Sequence, residues 1–305
     1  MKIYILLAFV LFQSCFLADN YIIGIFKINQ GANRVERIIN GNLNANQVDI
    51  YLSDNKIPFT QYLEFPKTGE FIIRYNFKQK LSTLNRLFYQ CTALVAVDLS
   101  HFDSSNVFSM YNTFREARQL TVVDLTNFSA NRVNNMGGLF QDCSSLVTVD
   151  LKTLRTSSTL RDTRNMFEGC TSLISIEFRN FNTQGVNTMN NMFYNCRSLR
   201  SLDLSSFNTQ NVIDMRDMFS GCSALSDLKI RSFNTNKVTR MANMFRNCNS
   251  FTTLDLSHFK ISEKTDMKYM FSGCSALRTL YLPRISPKVS TWGMFVGCNA
   301  QVTYR

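Results

Sequence analysis

The sequence predicts an α/β solenoid of about nine stacked units, each built from one short parallel strand and one short helix. A block with the pattern Met-Phe-x-x-Cys recurs over residues 81–305, and its Phe returns at steps of 24 to 27 residues, most often 26. A strand and a helix this short cannot bury their own apolar faces, whereas stacked copies cover one another. The repeated positions are Phe88, Phe114, Phe140, Phe167, Phe193, Phe219, Phe245, Phe271 and Phe295.

Each unit has two halves with different periodicities. In one of the clearest units, Leu202 and Leu204 alternate at a spacing of two, which predicts a short strand. Met215, Met218 and Cys222 follow at spacings of three and four, which predict one face of a short helix. Stacking would align the strands into a parallel sheet with neighbours about 4.8 Å apart.

Residues 1–18 are predicted to be a secretory signal peptide. Lys2 is followed by an apolar run at residues 3–12, which is too short to cross a bilayer. No later apolar run has membrane length, so no transmembrane segment is expected. The mature protein is therefore expected to be secreted, extracellular or at a cell surface.

Residues 19–80 lack the repeat and are predicted to form a β-rich N-terminal cap. Strand patterns at 21–28, 48–52, 61–65 and 70–77 are separated by Gly, Asn and Pro turns. A cap would cover the open core of the first unit, and a separate binding module is the alternative. The predicted organisation is thus a signal peptide at 1–18, a cap at 19–80 and a solenoid at 81–305.

The repeat resembles that of a known family. The unit Met-Phe-x-x-Cys-x-x-Leu-x-x-Leu-Asp-Leu-Ser-x-Phe-Asn-Thr-x-x-Val-x-x-Met, clearest at residues 191–256, is similar to the 26-residue repeat of BspA-like leucine-rich-repeat surface proteins. The resemblance covers residues 81–305. It implies a leucine-rich-repeat solenoid, export or surface exposure, and a role in adhesion without enzymatic activity. The fourth unit departs from the pattern at residues 151–160, where a local kink or bulge is expected.

The cysteines after residue 18 share one repeat position, which Ala117 occupies in the second unit. An export signal favours disulfides, but inward-pointing parallel side chains are poorly aimed for them, and alanine is an apolar substitute. Free, buried thiols are therefore expected, and a row of single ligands does not suit a metal. The column comprises Cys91, Cys143, Cys170, Cys196, Cys222, Cys248, Cys274 and Cys298.

A polar column between the two strand leucines is the candidate binding site on the concave face. Consecutive acids at sheet spacing repel one another, so neighbouring hydroxyls and cations must offset that repulsion. Two interpretations remain open: a polar ladder that satisfies itself, or a groove for a ligand or Ca²⁺. The column comprises Asp98, Asp124, Asp150, Glu177, Asp203, Lys229, Asp255 and Tyr281.

A formal net charge of +11 favours an anionic partner. The basic residues concentrate around the irregular fourth unit, which predicts a second candidate site there. Export and the lack of base-reading positions argue against nucleic acid, so an unidentified protein or an anionic glycan, including one on a host surface, is the expected partner. The candidate basic patch comprises Lys152, Arg155, Arg161, Arg164 and Arg179.

The sequence does not predict an enzyme. His101 and His258 would lie roughly 29 Å apart in the stack, and there is no Gly-rich phosphate loop or nucleophile elbow. No catalytic residue, metal or cofactor is expected. The predicted function is non-catalytic recognition or adhesion through the solenoid face. A structural or self-assembling surface protein is the alternative, and the sequence does not indicate the oligomeric state.

Overall fold

The computed structural model describes residues 20–31 and 33–305, and within them the chain forms fifteen β-strands and no helix. The predicted signal peptide lies outside the described residues. Six strands precede the repeats: β1 (Tyr21–Ile28), β2 (Arg34–Arg37), β3 (Val48–Leu52), β4 (Asn55–Ile57), β5 (Tyr62–Phe65) and β6 (Gly69–Phe77). Nine strands follow: β7 (Leu94–Asp98), β8 (Val122–Asp124), β9 (Thr148–Asp150), β10 (Ser175–Glu177), β11 (Ser201–Asp203), β12 (Asp227–Lys229), β13 (Thr253–Asp255), β14 (Thr279–Leu282) and β15 (Gln301–Tyr304).

Four of the six N-terminal strands extend the sheet of the first repeats, and β2 and β5 pair with each other in a separate sheet. The sheet order is β4-β3-β6-β1-β7-β8, with β1 antiparallel to both β6 and β7. β1 therefore pairs the edge of the first repeat strand, which would otherwise expose unpaired backbone groups. The buried Tyr75 joins the two parts, because its hydroxyl donates to the Ile38 carbonyl at 2.6 Å and its ring meets Phe88 edge-on at 5.6 Å.

The repeat strands stack in register, one per unit. Pairs such as Asp98↔Asp124 and Asp203↔Lys229 align residues of equal repeat position in parallel. We call strands β7 to β15 the strand ladder. The predicted stacking of one parallel strand per unit is therefore confirmed.

The predicted helix in each unit is wrong, and so is the α/β class. The second half of the unit consists of turns whose backbone pairs with the next unit; for example, Phe219 N–H donates to the Met244 carbonyl at 3.0 Å. A second series of parallel bridges runs along these turns, which we call the bridge ladder. It comprises Thr83, Ser109, Asn135, Asp162, Thr188, Asp214, Arg240, Asp266 and Ser290. The protein is an all-β solenoid.

Left-handed backbone conformations explain why a helix cannot form there. Each unit has two residues of positive φ four positions apart, as at Asn191 (55°) and Asn195 (58°), then Asp217 (57°) and Gly221 (76°). A right-handed helix cannot continue through such residues. The spacings of three and four between apolar residues therefore come from successive tight turns. Several of these close with an N–H donating to the carbonyl three residues earlier, as from Cys222 to Phe219 at 3.1 Å.

The repeated phenylalanines form a continuous stack through the interior. Neighbouring ring centroids are 5.5 to 5.8 Å apart, and the ring planes differ by at most 17°. The stack passes through the irregular fourth unit, with Phe167 at 5.6 Å from Phe140 and 5.7 Å from Phe193. Stacked rings of this kind add dispersion to the burial of apolar area.

The expectation of free, buried thiols is confirmed for the eight cysteines among the described residues. Most of them donate to a carbonyl of the preceding unit, as the Cys222 thiol does to Phe193 at 3.0 Å. Burial raises the pKa of Cys222 to about 12, which keeps the thiol protonated and chemically inert. Met192, Met218, Met244 and Met270 are likewise fully buried, as expected for core residues.

Candidate functional site

The aspartates of the candidate concave-face column close turns at the ends of the repeat strands. In each case a carboxylate oxygen accepts the backbone N–H two residues later, from Ser100 to Asp98 at 2.7 Å and from Ser205 to Asp203 at 2.9 Å. Asp124, Asp150 and Asp255 make the same contact. This local bond is a common reason for aspartate at a turn, so these five aspartates serve the fold of their own units.

Ion pairs between neighbouring units offset the repulsion between these acids. Lys152 lies 2.9 Å from Glu177, Lys229 lies 3.2 Å from Asp203, and Arg231 lies 3.3 Å from Asp255. These geometries match the self-satisfied polar ladder.

Hydrogen bonds also lower the pKa of carboxyls in this column. Ser205 lowers the pKa of Asp203, and Ser257 lowers that of Asp255, with smaller contributions from Lys229 and Arg231 respectively. These two aspartates are therefore ionised at neutral pH.

The exposed part of the column lies in the middle of the strand ladder. Asp98 is buried, Asp124, Asp255 and Tyr281 are half-buried, and the remaining members are exposed. At the far end, the Arg305 guanidinium covers the Tyr281 ring at 3.7 Å. A shallow cavity of about 420 Å³ lies beside β12 and β13, lined by residues that include Lys229, Arg231 and His258.

His258 lines that cavity, and its contacts are those of a structural residue. Its Nε2 is 3.1 Å from the Ile230 carbonyl, and burial lowers the pKa of the ring. A neutral ring that donates from Nε2 satisfies both observations. His101 stacks on Tyr21 at 4.8 Å near the opposite end of the solenoid.

Four of the five residues of the predicted basic patch lie beside one of the two ladders. Lys152 and Arg179 follow strands of the strand ladder, whereas Arg161 and Arg164 flank Asp162 of the bridge ladder. Lys152 is paired with Glu177, and Arg161 donates to the carbonyls of Ser158, Leu160 and Gly185. Arg155 and Arg179 are exposed, and neither has a side-chain partner among the described residues.

Arg164 instead belongs to a cluster that the sequence analysis missed. It lines a cavity of about 350 Å³ with Arg216 and Arg240, and we call this cavity the arginine pocket. Two arginines are held by buried aspartates: Arg164 Nε is 2.7 Å from Asp162, and Arg216 Nη2 is 2.7 Å from Asp214.

The sequence contains a signal for this cluster, which recurs in every second unit. The pattern Asp-x-Arg occurs at residues 162–164 and again at 214–216, two units later, and Asp-x-Lys follows at 266–268. In every copy the aspartate accepts the backbone N–H of the basic residue, at 3.0 to 3.1 Å. Reading each unit separately hides this alternation.

The described residues contain no group of three or more His, Cys, Asp or Glu side chains that could hold a metal ion. Within the same part of the chain, no helix is long and apolar enough to cross a membrane.

Comparisons with known proteins give a family and distant structural likenesses. The family described as "Mycoplasma protein of unknown function, DUF285" matches residues 67–176 and 161–282. No curated protein matches the chain. Among solved structures, the Drosophila Toll–Spatzle complex is similar at 18% identity with a TM-score of 0.31. The match covers 67% of this chain and 29% of that chain, so this chain spans less than a third of its length.

Proposed function

We propose that this chain, which belongs to the DUF285 family, is a non-catalytic recognition or adhesion protein whose solenoid faces bind a protein or an anionic glycan. The observation that carries the proposal is that apolar and polar side chains occupy separate columns of the solenoid. The Phe, Met and Cys columns are almost entirely buried, while charged and hydroxyl side chains remain exposed along the strand ladder. Stacked repeats of this kind form extended binding surfaces.

The predicted export and the family resemblance support the adhesion part of the proposal. The apolar run at residues 3–12 favours export, and the repeat at 191–256 resembles that of BspA-like surface proteins. A secreted or surface-held solenoid can present its exposed columns to other cells.

The placement of the titratable groups supports a non-catalytic role. The column aspartates are engaged by turns and ion pairs, the thiols are buried, and His258 bonds a backbone carbonyl. General acid–base or nucleophilic chemistry needs such groups to be within reach of one another and of a substrate.

A matched pair of double variants tests the strand ladder as the binding face. Asp203→Asn with Lys229→Gln removes one exposed ion pair from the ladder without changing the net charge. The introduced asparagine can still accept the Ser205 N–H and keep the turn. Glu263→Gln with Lys288→Gln removes another exposed ion pair, at 3.2 Å, from outside the ladder.

Binding of residues 20–305 to cultured cells and to arrayed anionic and neutral glycans is the measurement. We expect the ladder variant to lose at least about tenfold in affinity, because each charged hydrogen bond to a partner is worth that much. The control should change less than about twofold. Equal binding by both variants would remove the strand ladder from the proposal, and concentration-dependent self-association without cell binding would favour the assembly alternative.

A further inference from the structure

The arginine pocket has more donors than its aspartates use. Arg216 and Arg240 both reach Asp214, at 2.7 and 3.5 Å, and Arg164 is committed to Asp162. These contacts leave Nη1 of Arg164, Nη1 of Arg216, and Nε and Nη2 of Arg240 without a partner within the described part of the chain. Guanidinium groups with free N–H donors favour sulfate and carboxylate groups.

The aspartates fix where these donors point. The side chains of Asp162 and Asp214 are only 10% and 8% exposed, and both belong to the bridge ladder, whose spacing is set by the stacked backbone. An arginine held in this way loses little conformational entropy when an anion binds. The pocket is therefore preorganised, unlike the exposed Arg155 and Arg179.

The remaining wall is suited to a sugar ring. Ile213 is 45% exposed and offers an apolar surface, while Thr188 and Asn190 offer neutral polar groups. The Thr188 hydroxyl donates to Asn190 Oδ1 at 2.6 Å, which leaves the Asn190 NH₂ group for a ligand hydroxyl. A volume of about 350 Å³ is at the small end of ligand sites and fits one or two sugar units.

We propose that the arginine pocket binds an anionic saccharide, with its sulfate and carboxylate groups distributed over Arg164, Arg216 and Arg240 and its ring against Ile213. The proposal rests on the proposed recognition function and names the site and the ligand class for it. A phosphorylated peptide would use the same donors but would have less use for the apolar wall beside neutral amide and hydroxyl groups.

The test uses residues 20–305 and direct titration with four probes: a sulfated uronic-acid disaccharide, inorganic sulfate, a neutral disaccharide and a phosphorylated peptide. Arg240→Gln removes the arginine that contributes least to the fold, because its side chain is 58% exposed and its pair distance is 3.5 Å. Lys268→Gln is the control, since it removes one exposed charge from the next Asp-x-Lys copy, outside the pocket lining. Ile213→Ser tests the apolar wall.

We expect the anionic disaccharide to bind more tightly than the other probes. Arg240→Gln should weaken it at least about tenfold and Lys268→Gln less than about twofold, because only the first removes a charged hydrogen bond. Ile213→Ser should weaken the disaccharide and leave inorganic sulfate unchanged.

Four results would overturn the proposal. Equal losses for Arg240→Gln and Lys268→Gln would mean a general charge effect. Sulfate binding as tightly as the disaccharide, or the phosphorylated peptide binding best, would exclude the saccharide. If no probe binds while the chain still adheres to cells, the pocket assignment fails and the recognition function stands. If the disaccharide binds but no cell does, the pocket assignment stands and the adhesion part of the proposed function fails.

Discussion

Phe219→Ala is expected to lower the free energy of unfolding by about 3–5 kcal/mol, the cost of a large-to-small change in a packed core. The Phe219 ring is fully buried and stacked between Phe193 at 5.8 Å and Phe245 at 5.5 Å. Alanine leaves a cavity that the neighbours cannot fill, because the bridge ladder fixes their spacing. Chemical denaturation of residues 20–305 measures the loss.

Arg197→Ala is the control for this variant, because Arg197 is exposed and its side chain has no bond within the described structure. We expect a change within about 0.5 kcal/mol. Similar losses for the two variants would show that the phenylalanine column does not form the interior of the solenoid.

Thr209→Val is expected to cost about 2–6 kcal/mol, because it leaves two buried backbone groups without a hydrogen-bond partner, at roughly 1–3 kcal/mol each. The buried Thr209 hydroxyl accepts the Asn234 N–H at 2.7 Å and donates to the Asn234 carbonyl at 2.9 Å. Valine has nearly the same shape and neither bond. Thr183 and Thr235 make the same paired contact with the units that follow them.

Thr209→Ser keeps the hydroxyl and removes only a methyl group. We expect it to cost about 1 kcal/mol, as for one buried methyl. If valine is tolerated as well as serine, the threonine hydroxyls do not link neighbouring units. Thermal or chemical denaturation of both variants in parallel decides between these results.

The sequence was sufficient to predict the stack and its inward columns. The recurrence of Phe and Cys every 26 residues identifies positions that face the interior in every unit, whatever the backbone does between them. The alternation of Leu202 and Leu204 likewise predicts the repeat strand, which the structure places at Ser201–Asp203.

Apolar spacing alone could not show that the second half of each unit consists of turns and not of a helix. Tight turns and a helix both place apolar residues three and four positions apart, so Met215, Met218 and Cys222 fit either. The residues of positive φ decide between turns and a helix. A glycine of positive φ such as Gly221 is common where a helix ends, but Asp217, four residues earlier, also has positive φ. Asparagine, aspartate or glycine recurs at that earlier position in most units and is the signal for turns.

The candidate sites were only partly predictable, because a charged residue in a repeat has neighbours within its own unit and neighbours in the adjacent units. Position within the unit placed Asp203 on the strand ladder, whereas its partner Lys229 comes from the next unit. The three arginines of the pocket, Arg164, Arg216 and Arg240, come from three different units, and only the stacked backbone brings them together. Sequence proximity grouped Arg164 with Arg155 and Arg179 instead.

Far-UV circular dichroism of residues 20–305 is the most direct test of the helix-free solenoid on which both ladders depend. Every unit has turns in place of the expected helix, and in all but the last these turns bond to the next unit, as Phe219 does to Met244. The account predicts a spectrum of β-strands and turns without the α-helical signature. A helical signal equivalent to one short helix in each of the nine units would contradict it, and would remove the bridge ladder and the arginine pocket with it.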